Sequence, residues 1–399
     1  MKKILILNVG SSSCKFQLFT EDLTLLGKGL IDKIGIKGTN FSYENINGNL
    51  IKKEENFDHQ VLAEKLKSFI SENNICDFND VYLMAHRIVM GGELFKENIL
   101  VEDKNTINKI ISLSPLAPLH QPYNASLLEE FFTKYNHITH AAIFDTTFHT
   151  TIPEENYLFS IPLDFYKKHQ IRRYGAHGTS HQYILEQMKK ILGKENVTFI
   201  NLHLGNGASV CLIENSKSKN ISMGLTPLGG LMMGTRSGDL DPSVIFYLMN
   251  QKNYSPKDIE NIFIKKSGLL GIYEESSDMR DILKGISQNN KKAILARKMF
   301  VQRIKNYLAM YLNETKKVEA IVFTAGIGEN DYDLIKEIFN NFFLKKIILK
   351  DKIEVIQKVN LISKEESEIK IYIIKTNEEL NMARIAKNLL KNKEIKIEE

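Results

Sequence analysis

The chain has 399 residues, of which 43% are hydrophobic and 25% are charged, and its formal net charge is +5 at pH 7. A chain of this length suits two domains, and its composition is ordinary for a globular enzyme. The positive charge is mild, and lysines interleave with glutamates, so we expect no nucleic-acid partner. No apolar stretch approaches the ~20 residues of a membrane span, so we expect no membrane partner.

The cysteines and the first residues predict a cytoplasmic protein. Cys14, Cys76 and Cys211 form no C-x-x-C pair, which fits a reducing compartment. Two lysines followed by an apolar run mimic a secretion signal, but the run at residues 4–7 is shorter than the ~7–15 residues such a signal needs. We interpret it as the first strand.

Short apolar runs that are typical of buried strands end abruptly in polar or glycine-rich residues. In chain order they are residues 4–7, 81–85, 141–144, 198–202, 320–323 and 371–374. Ligands of α/β proteins bind beyond the carboxyl ends of the strands. Polar residues at so many strand ends therefore predict one shared site for a charged ligand.

Helix-like segments alternate with these runs, and the alternation predicts an α/β fold. The clearest helical segments are residues 60–75, 237–247, 293–311 and 377–390. In the second of these we expect Asp241 to cap the helix and Pro242 to occupy its first position. We place a domain boundary near residue 150, and the two halves could be related units facing each other across a cleft.

Three loops at strand ends have the composition of phosphate or nucleotide contacts. Asn8 to Lys15 contains one glycine, three serines including Ser11 and Ser13, and a lysine, which suits a polyphosphate. Residues 203–209 repeat this logic, and residues 324–330 place two glycines where a flat adenine or ribose could lie against the backbone. For each loop the alternative is an ordinary turn.

Arg87 and Arg236 are the strongest charged candidates, because a guanidinium is a planar fork that matches carboxylate and phosphoryl oxygens. For Arg236 the alternative is a structural pair with Asp239 or Asp241. Asp145 ends a hydrophobic strand, and is either a site carboxylate or the partner of an arginine.

The segment from His177 to His181 has H-x-x-x-H spacing, which raises the question of zinc. Gly178 and Thr179 make a regular helix less favourable there, and no H-E-x-x-H base is present. A histidine that donates to a transferring phosphoryl group is the preferred interpretation, with a buried structural histidine as the alternative. Asn8 and Glu378 are hard oxygen ligands at strand ends and suit Mg²⁺.

Taken together and in this order, the motifs resemble the acetate kinase family, within the sugar kinase/Hsp70/actin superfamily. The matching segments are NVGSSSCK, HRIVMGGE, SPLAPLHQP, FDTTFH, RRYGAHGTSH, HLGNGAS, GLTPLGGLMMGTRSGDLDP, SSDMRD, FTAGIGEN and TNEE. They run from residue 8 to residue 379. The resemblance implies an α/β fold with two ribonuclease-H-like (actin-like ATPase) domains, whose mixed sheets are flanked by helices around a central cleft.

The resemblance also implies an activity. We expect reversible phosphoryl transfer between ATP and acetate, giving acetyl phosphate and ADP, with Mg²⁺ as the metal and Mn²⁺ as an alternative ion. We expect a cytoplasmic homodimer. The N-terminal domain would span residues 1–150 and be joined by the C-terminal helix at about residues 380–399, while residues 151–379 would form the nucleotide-binding and dimerisation domain.

The resemblance assigns residues to roles by position in these motifs. Magnesium association falls to Asn8 and Glu378, substrate and catalytic roles to Arg87, Asp145, His177 and Arg236, and an acyl pocket to Val89, Leu119, Ala176 and Pro227. Nucleotide contacts, together with the serines of the first loop, fall to Lys15, His203, Leu204, Gly205, Asn206, Gly207, Asp278, Met279, Arg280, Gly326, Ile327, Gly328, Glu329 and Asn330.

A carboxylate nucleophile is already ionised at neutral pH, so the reaction requires no general base. We therefore predict that Asp145 orients an arginine, the metal or the acyl group and does not move a proton.

Two positions depart from the family pattern. Ala176 stands where the family usually has phenylalanine, which enlarges the acyl pocket and leaves a propionate or butyrate kinase as an alternative. Met90 stands where histidine is common. The remaining alternative is a nucleotide-binding scaffold of the actin or Hsp70 type, but a scaffold needs no set of Arg87, His177 and Arg236.

Overall fold

The computed structural model describes residues 2–10, 13–35, 37–118, 120–351 and 357–398, with the side chains of 397 and 398 left out. The predicted Ser11 and Leu119 lie outside the described residues. The chain forms two compact units, Met1–Thr147 with Asn377–Glu399, and Phe148–Thr376. Among the described residues, no helix combines the length and apolar character needed to cross a membrane.

The first unit holds a mixed sheet with the order β5-β4-β3-β2-β1-β6-β8-β7 in the described residues. Its strands are β1 (Lys3–Val9), β2 (Ser13–Thr20), β3 (Leu25–Asp32), β4 (Asn40–Asn45), β5 (Leu50–Glu54), β6 (Val81–Ile88), β7 (Ile99–Val101) and β8 (Thr139–Phe144). β1, β6 and β8 are parallel, whereas β1 to β5 form an antiparallel meander and β7 runs antiparallel to β8.

The second unit holds another mixed sheet, with the order β11-β10-β9-β12-β14-β13 in the described residues. Its strands are β9 (Phe199–Leu204), β10 (Ala208–Glu214), β11 (Lys217–Ile221), β12 (Ala320–Thr324), β13 (Val359–Leu361) and β14 (Lys370–Ile374). β9, β12 and β14 are parallel at its centre, so the carboxyl ends of these strands share one edge. All six predicted strands are present, and the predicted α/β class with two mixed sheets is confirmed.

Helices flank both sheets. They are α1 (Leu62–Glu72), α2 (Lys104–Ser112), α3 (Gln121–Lys134), α4 (Glu154–Tyr157), α5 (Asp164–His169), α6 (Gly178–Leu192), α7 (Ser243–Lys252), α8 (Pro256–Lys265), α9 (Gly268–Tyr273), α10 (Met279–Ser287), α11 (Lys291–Asn313), α12 (Ala325–Asn330), α13 (Tyr332–Phe339) and α14 (Glu378–Glu398).

The helix predicted at residues 237–247 begins later than expected. α7 starts at Ser243, with Pro242 at the N-cap position instead of the predicted first helical position, and residues 237–242 are not helical. Asp241 Oδ1 accepts the backbone N–H of Ser243, so Asp241 bonds the start of the helix from one residue before the N-cap. Glycine disfavours a helix in that stretch, and the side chains of Asp239 and Asp241 accept backbone N–H groups instead. The helix predicted at 377–390 extends to Glu398.

The central strands of the first sheet are buried on both faces, which explains their unbroken apolar runs. Leu5 and Leu7 of β1 pack in one cluster with α1 and α3, while the alternate Ile4 and Ile6 pack against Met382 and other side chains of α14. Because α14 covers β1, β6 and β8, residues 378 and 379 are held beside the ends of these strands.

Strand β9, at the centre of the second sheet, has one apolar and one polar buried face. On β9, Ile200 and Leu202 belong to the hydrophobic core that α11 completes. The alternate Asn201 and His203 are also buried, at 0% and 8% exposure. Ser209 of β10 pairs with His203 and shares that face, under α6. This polar face carries most of the second unit's candidate chemistry.

Two buried histidines form a hydrogen bond between neighbouring strands of the first sheet. His86 Nε2 lies 3.0 Å from His140 Nδ1, and each residue is 1% exposed. Burial lowers the pKa of His140 to about 4, and burial together with the proximity of His140 lowers the pKa of His86 well below its ordinary value. Both imidazoles are therefore neutral at neutral pH.

This pair should make the stability of the first unit sensitive to acid. The unfolded chain protonates its histidines near a pKa of about 6.5, whereas the folded chain protonates His140 only near pH 4. The stabilisation from the two neutral histidines should be complete above the pKa of histidine in the unfolded chain. Below it, the free energy of unfolding should decrease as the pH drops towards 4, by up to about 1.4 kcal/mol per pH unit for each histidine. Urea unfolding at a series of pH values measures this slope.

The variant His140→Asn keeps a hydrogen-bonding side chain that does not titrate, so its slope below pH 6 should be smaller than that of the wild type. The same two proteins compared between pH 7 and 8 are the control, because there both histidines are neutral in either state. Equal slopes below pH 6 would contradict the prediction.

Candidate functional site

In the first unit, three predicted residues meet where β1, β6 and β8 end. Arg87 donates from Nε to both oxygens of Asp145, at 3.1 Å each, and from Nη2 to Oδ2 at 2.6 Å. Its Nη1 donates to Asn8 Oδ1 at 3.0 Å. Asp145 is fully buried, so its charge is compensated by a guanidinium that is held in a fixed orientation.

The charges around Arg87 keep it protonated. Burial alone would lower the pKa of Arg87, but the charge and hydrogen bonds of Asp145, with the charges of Glu378 and Glu379, raise it above its ordinary value. The side chain is 15% exposed, so part of the guanidinium reaches the surface of the unit. A buried salt bridge that holds a partly exposed arginine is suited to present it to an anionic ligand.

The first two residues of α14 extend this cluster. Asn8 Nδ2 donates to Glu379 Oε1 at 2.8 Å and lies 3.5 Å from Glu378 Oε2. Gln17 Nε2 donates to Glu379 Oε2 at 3.4 Å. Gln17 Oε1 is buried and has no hydrogen-bond partner among the residues that the structure describes. Two carboxylates and an unsatisfied amide oxygen form the hard donor set that Mg²⁺ prefers, so the residues fit this ion.

The other predicted residues of the first unit are exposed on β2, belong to the turn before it, or are buried. Lys15 is exposed on β2 beside Asn8, its register partner on β1. The Ser13 carbonyl accepts from Gly10 N, closing the turn between these strands. Val89 is buried, and its backbone N–H donates to Asn124 Oδ1. Met90 is also buried, with its backbone bonded by Gln121.

In the second unit, His177 stands immediately before α6 with a left-handed backbone, φ 58°. Its Nδ1 lies 3.0 Å from Ser209 Oγ, and its ring stacks on that of His203 at a centroid distance of 4.1 Å. His203 Nδ1 lies 2.8 Å from Ser180 Oγ. A histidine held in an uncommon conformation, with its ring fixed on two sides, is typical of a functional position.

Arg236 converges on the same place as His177. Both side chains lie over Gly207, where a Cβ would be 3.6 Å from His177 Nε2 and 3.7 Å from Arg236 Nη1. We call the space between these two nitrogens and the Cα of Gly207 the gap over Gly207. Arg236 Nη1 also donates to Pro227 O at 3.2 Å. The alternative for Arg236 was a structural pair with Asp239 or Asp241. Those two carboxylates form other bonds, since Asp239 accepts from Gly230 N and Asp241 accepts from Ser243 N.

A cavity of 670 Å³ lies beside these loops, and it brings together predicted nucleotide residues from three separate segments. Its lining consists of Gly205, Asn206, Ser277, Asp278, Met279, Arg280, Leu283, Gly326, Ile327, Asn330 and Asp331. Glycine and small side chains on two of the segments leave the backbone accessible. The volume lies within the range of small-molecule sites in proteins.

Several predicted nucleotide residues bond backbone groups of their own loop or of a neighbouring one. Glu329 Oε1 accepts from the backbone N–H groups of Ala325 and Thr376, and Asn330 Nδ2 donates to Gly326 O. Asp278 caps α10 by accepting from Arg280 N. These bonds fix the shape of the cavity wall.

Leu204, Gly328 and Ala176 face the interior. Leu204 and Ala176 belong to the hydrophobic core of the second unit. A Cβ at Gly328 would lie in ordinary contact with Leu204 and Phe323, at 3.6 Å. The carbonyl of Ala176 accepts from His149 Nε2 at 2.9 Å. His149 thus packs directly beside the position where the family pattern departs.

The sequence interpretation overlooked residues that the structure places in both clusters. They are Gln17, Glu379, Ser180, Asn201, Ser277, Leu283 and Asp331. A signal existed for some of them: Glu379 and Ser277 lie inside quoted motifs, and Asn201 interrupts an apolar strand. His181, considered as a zinc ligand, instead bonds Ser209 through Nε2.

Comparison with known proteins gives consistent results. A family profile described as "Acetokinase family" matches residues 3–384. An acetate kinase from Finegoldia magna is 39% identical over 394 residues, which cover 98% of this chain and 100% of that protein.

Two crystal structures are similar over nearly the whole chain. Porphyromonas gingivalis acetate kinase has a TM-score of 0.87 and 34% identity, covering 98% of this chain and 100% of that one. A propionate kinase from Francisella tularensis has a TM-score of 0.90 and 36% identity, with the same coverage. Sequence and fold therefore agree over the residues that form both clusters.

Proposed function

This chain belongs to the acetokinase family, and we propose that it catalyses the reversible, Mg²⁺-dependent transfer of the γ-phosphoryl group of ATP to acetate, giving acetyl phosphate and ADP. The observation that carries the proposal is the convergence of His177 Nε2 and Arg236 Nη1 on the gap over Gly207. Two nitrogen donors on one point suit the oxygens of a transferring phosphoryl group.

The 670 Å³ cavity is the proposed binding place of the nucleotide. Gly205 and Asn206 belong both to its lining and to the loop that leads to Gly207. A nucleotide seated there would have its phosphates directed along this loop, towards His177 and Arg236. Positioning of the phosphates, together with charge neutralisation, supplies most of the catalysis in a reaction of this kind.

We propose that Arg87 binds the carboxylate of acetate and that Asp145 keeps Arg87 in place. The support is the bidentate bond between them, which uses Nε and Nη2 and fixes the plane of the guanidinium. Because acetate is ionised at neutral pH, Asp145 has no proton to remove. Asn8 and Glu378 would hold Mg²⁺ with Glu379 and Gln17 nearby, and the ion would neutralise phosphate charge.

The first test is acyl phosphate formation from ATP and Mg²⁺ with acetate, propionate and butyrate in parallel. We expect turnover with acetate, and the ratio of specific activities measures the effect of Ala176, since one methylene in a pocket changes discrimination by about 1–3 kcal/mol. Comparable turnover with propionate would make the protein a broader short-chain acyl kinase. Absence of turnover with all three acids would overturn the proposal.

The variant Arg236→Ala is the control that assigns the activity to this site. It removes one of the two converging donors, and turnover should fall by about 10³-fold or more if this arginine acts like other arginines that stabilise phosphoryl transfer. Near-normal turnover would place the chemistry elsewhere.

The variant Asp145→Asn tests the orienting role. The amide keeps the shape of the side chain but removes the charge and one acceptor, so Arg87 loses its fixed orientation. We expect a higher KM for acetate and a lower kcat. The pH–rate profile should keep its shape, because no proton passes through Asp145. A steep limb in the wild-type profile that disappears in this variant would show that Asp145 transfers a proton.

We also propose a homodimer in the cytoplasm, formed through the surface of α7. All ten residues of this helix are described, and none is buried, although its sequence is SVIFYLMNQK. Phe246 and Tyr247 are 62% and 56% exposed. An apolar helix that buries none of its residues within its own unit leaves a hydrophobic patch in water, and a second copy of the chain is the proposed cover.

The variant Phe246→Glu should weaken this dimer by about 2 kcal/mol or more, because aromatic side chains at the centre of an interface dominate its energy. Analytical ultracentrifugation over a concentration series measures the effect. Phe343→Glu is the matched control, since Phe343 is 92% exposed and lies outside α7. A monomeric wild type, or equal dissociation constants for the two variants, would contradict the proposed surface.

A further inference from the structure

A continuous hydrogen-bonded chain runs under His177 on the polar face of the second sheet. Asn201 Nδ2 lies 2.8 Å from His181 Nδ1, His181 Nε2 lies 2.9 Å from Ser209 Oγ, and Ser209 Oγ lies 3.0 Å from His177 Nδ1. Asn201, His181 and Ser209 are each 0% exposed. Because these three residues are inaccessible to solvent, the position of each proton is determined by the hydrogen-bond partners within the protein.

The donor and acceptor of each hydrogen bond in this series follow from the chemistry of the groups. An amide nitrogen only donates, so Asn201 requires a lone pair on His181 Nδ1. Burial, with the nearby His149 and His203, lowers the pKa of His181 well below its ordinary value, so the ring is neutral and carries its proton on Nε2. This N–H donates to Ser209 Oγ, and the Ser209 hydroxyl is then oriented to donate to His177 Nδ1.

We propose that Asn201, His181 and Ser209 are positioning residues that fix His177 as the tautomer protonated on Nε2. A neutral His177 in this form presents an N–H towards the gap over Gly207, beside Arg236. It donates to a phosphoryl oxygen without needing a positive charge, and therefore does so across the neutral pH range. The role of this N–H rests on the proposed function, whereas the position of the proton does not.

His203 restricts the ring of His177 from a second side. Its Nδ1 bonds Ser180 Oγ, which in turn lies 2.9 Å from Thr376 Oγ1. Because the rings of His177 and His203 are stacked, rotation of His177 away from Ser209 is restricted. Serine bonds therefore hold both rings at Nδ1.

The decisive variant is Asn201→Asp. A carboxylate only accepts, so a neutral His181 must move its proton to Nδ1 and accept from Ser209, and Ser209 must accept from His177 Nδ1–H. His177 Nε2 then changes from donor to acceptor. We expect kcat to fall about 100-fold, the loss typical of one missing donor at a developing charge. The KM values for ATP and acetate should change little.

The defect should depend on pH in a defined direction. At low pH His181 in this variant gains a second proton beside the new carboxylate, its Nε2–H is restored, and the original order of donors returns. His149 and His203 also face His181, and their protonation would oppose that gain. The ratio of wild-type to variant kcat should therefore increase as the pH rises, whereas a merely structural defect has no such trend.

The matched control is Asn201→Ala, which removes more atoms but imposes no reversal. Its loss in kcat should be less than about 10-fold, smaller than that of Asn201→Asp. Ser209→Thr should retain activity and Ser209→Ala should reduce it, while Ser218→Ala, which breaks a similar buried serine–histidine bond to His149, should keep the wild-type pH profile. A larger loss for Asn201→Ala than for Asn201→Asp would overturn the proposal.

Nitrogen-15 NMR of the histidine-labelled wild-type protein tests the proton position directly, with His177→Gln used to assign the signal. An unprotonated Nδ1 and a protonated Nε2 at His177 is the expected result, and it can be obtained even if the protein does not phosphorylate acetate. Protonation at Nδ1 would mean that Asn201 faces His181 with its oxygen, and would overturn the inference.

Discussion

The cost of burying charged and polar side chains shapes both units of this protein. Each unit buries charged or polar side chains at or beneath the ends of parallel strands, where an unpaired group would cost about 1–3 kcal/mol or more. In the first unit Asp145 is fully buried and its charge is met by Arg87, which in turn is bonded to Asn8. In the second unit the imidazoles on the polar face of β9 and α6 are bonded by serines. Pairing of this kind leaves few alternative arrangements, so the reactive atoms are oriented before any ligand binds.

The sequence predicted the scaffold well because its signal is local. Strands β1, β6, β8, β9, β12 and β14 are buried on both faces, so each appears as a short, mainly apolar run followed by polar residues. Residues at those strand ends, such as Arg87 and Asp145, could be identified because topology alone brings such ends together. The assignment of nucleotide contacts from motifs also gave eight of the residues that line the cavity, from Gly205 to Asn330.

Partners of those residues could not be predicted, because their contacts depend on tertiary pairing. Ser209 is one small residue inside the sequence HLGNGAS, and its bonds to His177 and His181 depend on the packing of α6 over β9 and on the register between β9 and β10. Glu329 was predicted as a nucleotide contact, but its carboxylate accepts the backbone N–H groups of Ala325 and Thr376. A glycine-rich motif does not reveal this structural role. The start of α7 differed from expectation because Gly238 disfavours a helix, and because Asp239 and Asp241 accept backbone N–H groups before the helix begins.

The position of α14 has a consequence for synthesis on the ribosome. The chain makes β1 to β8, then passes through the whole second unit, and only then makes the helix that covers Ile4, Ile6 and Ala85. Until that helix emerges, one face of the first sheet exposes its apolar side chains, and Glu378 and Glu379 are missing from the end of β1. The second unit is continuous in sequence, so it can complete its core earlier. The nascent protein can therefore complete its second unit before its first unit, whose sheet stays uncovered on one face until α14 has been made.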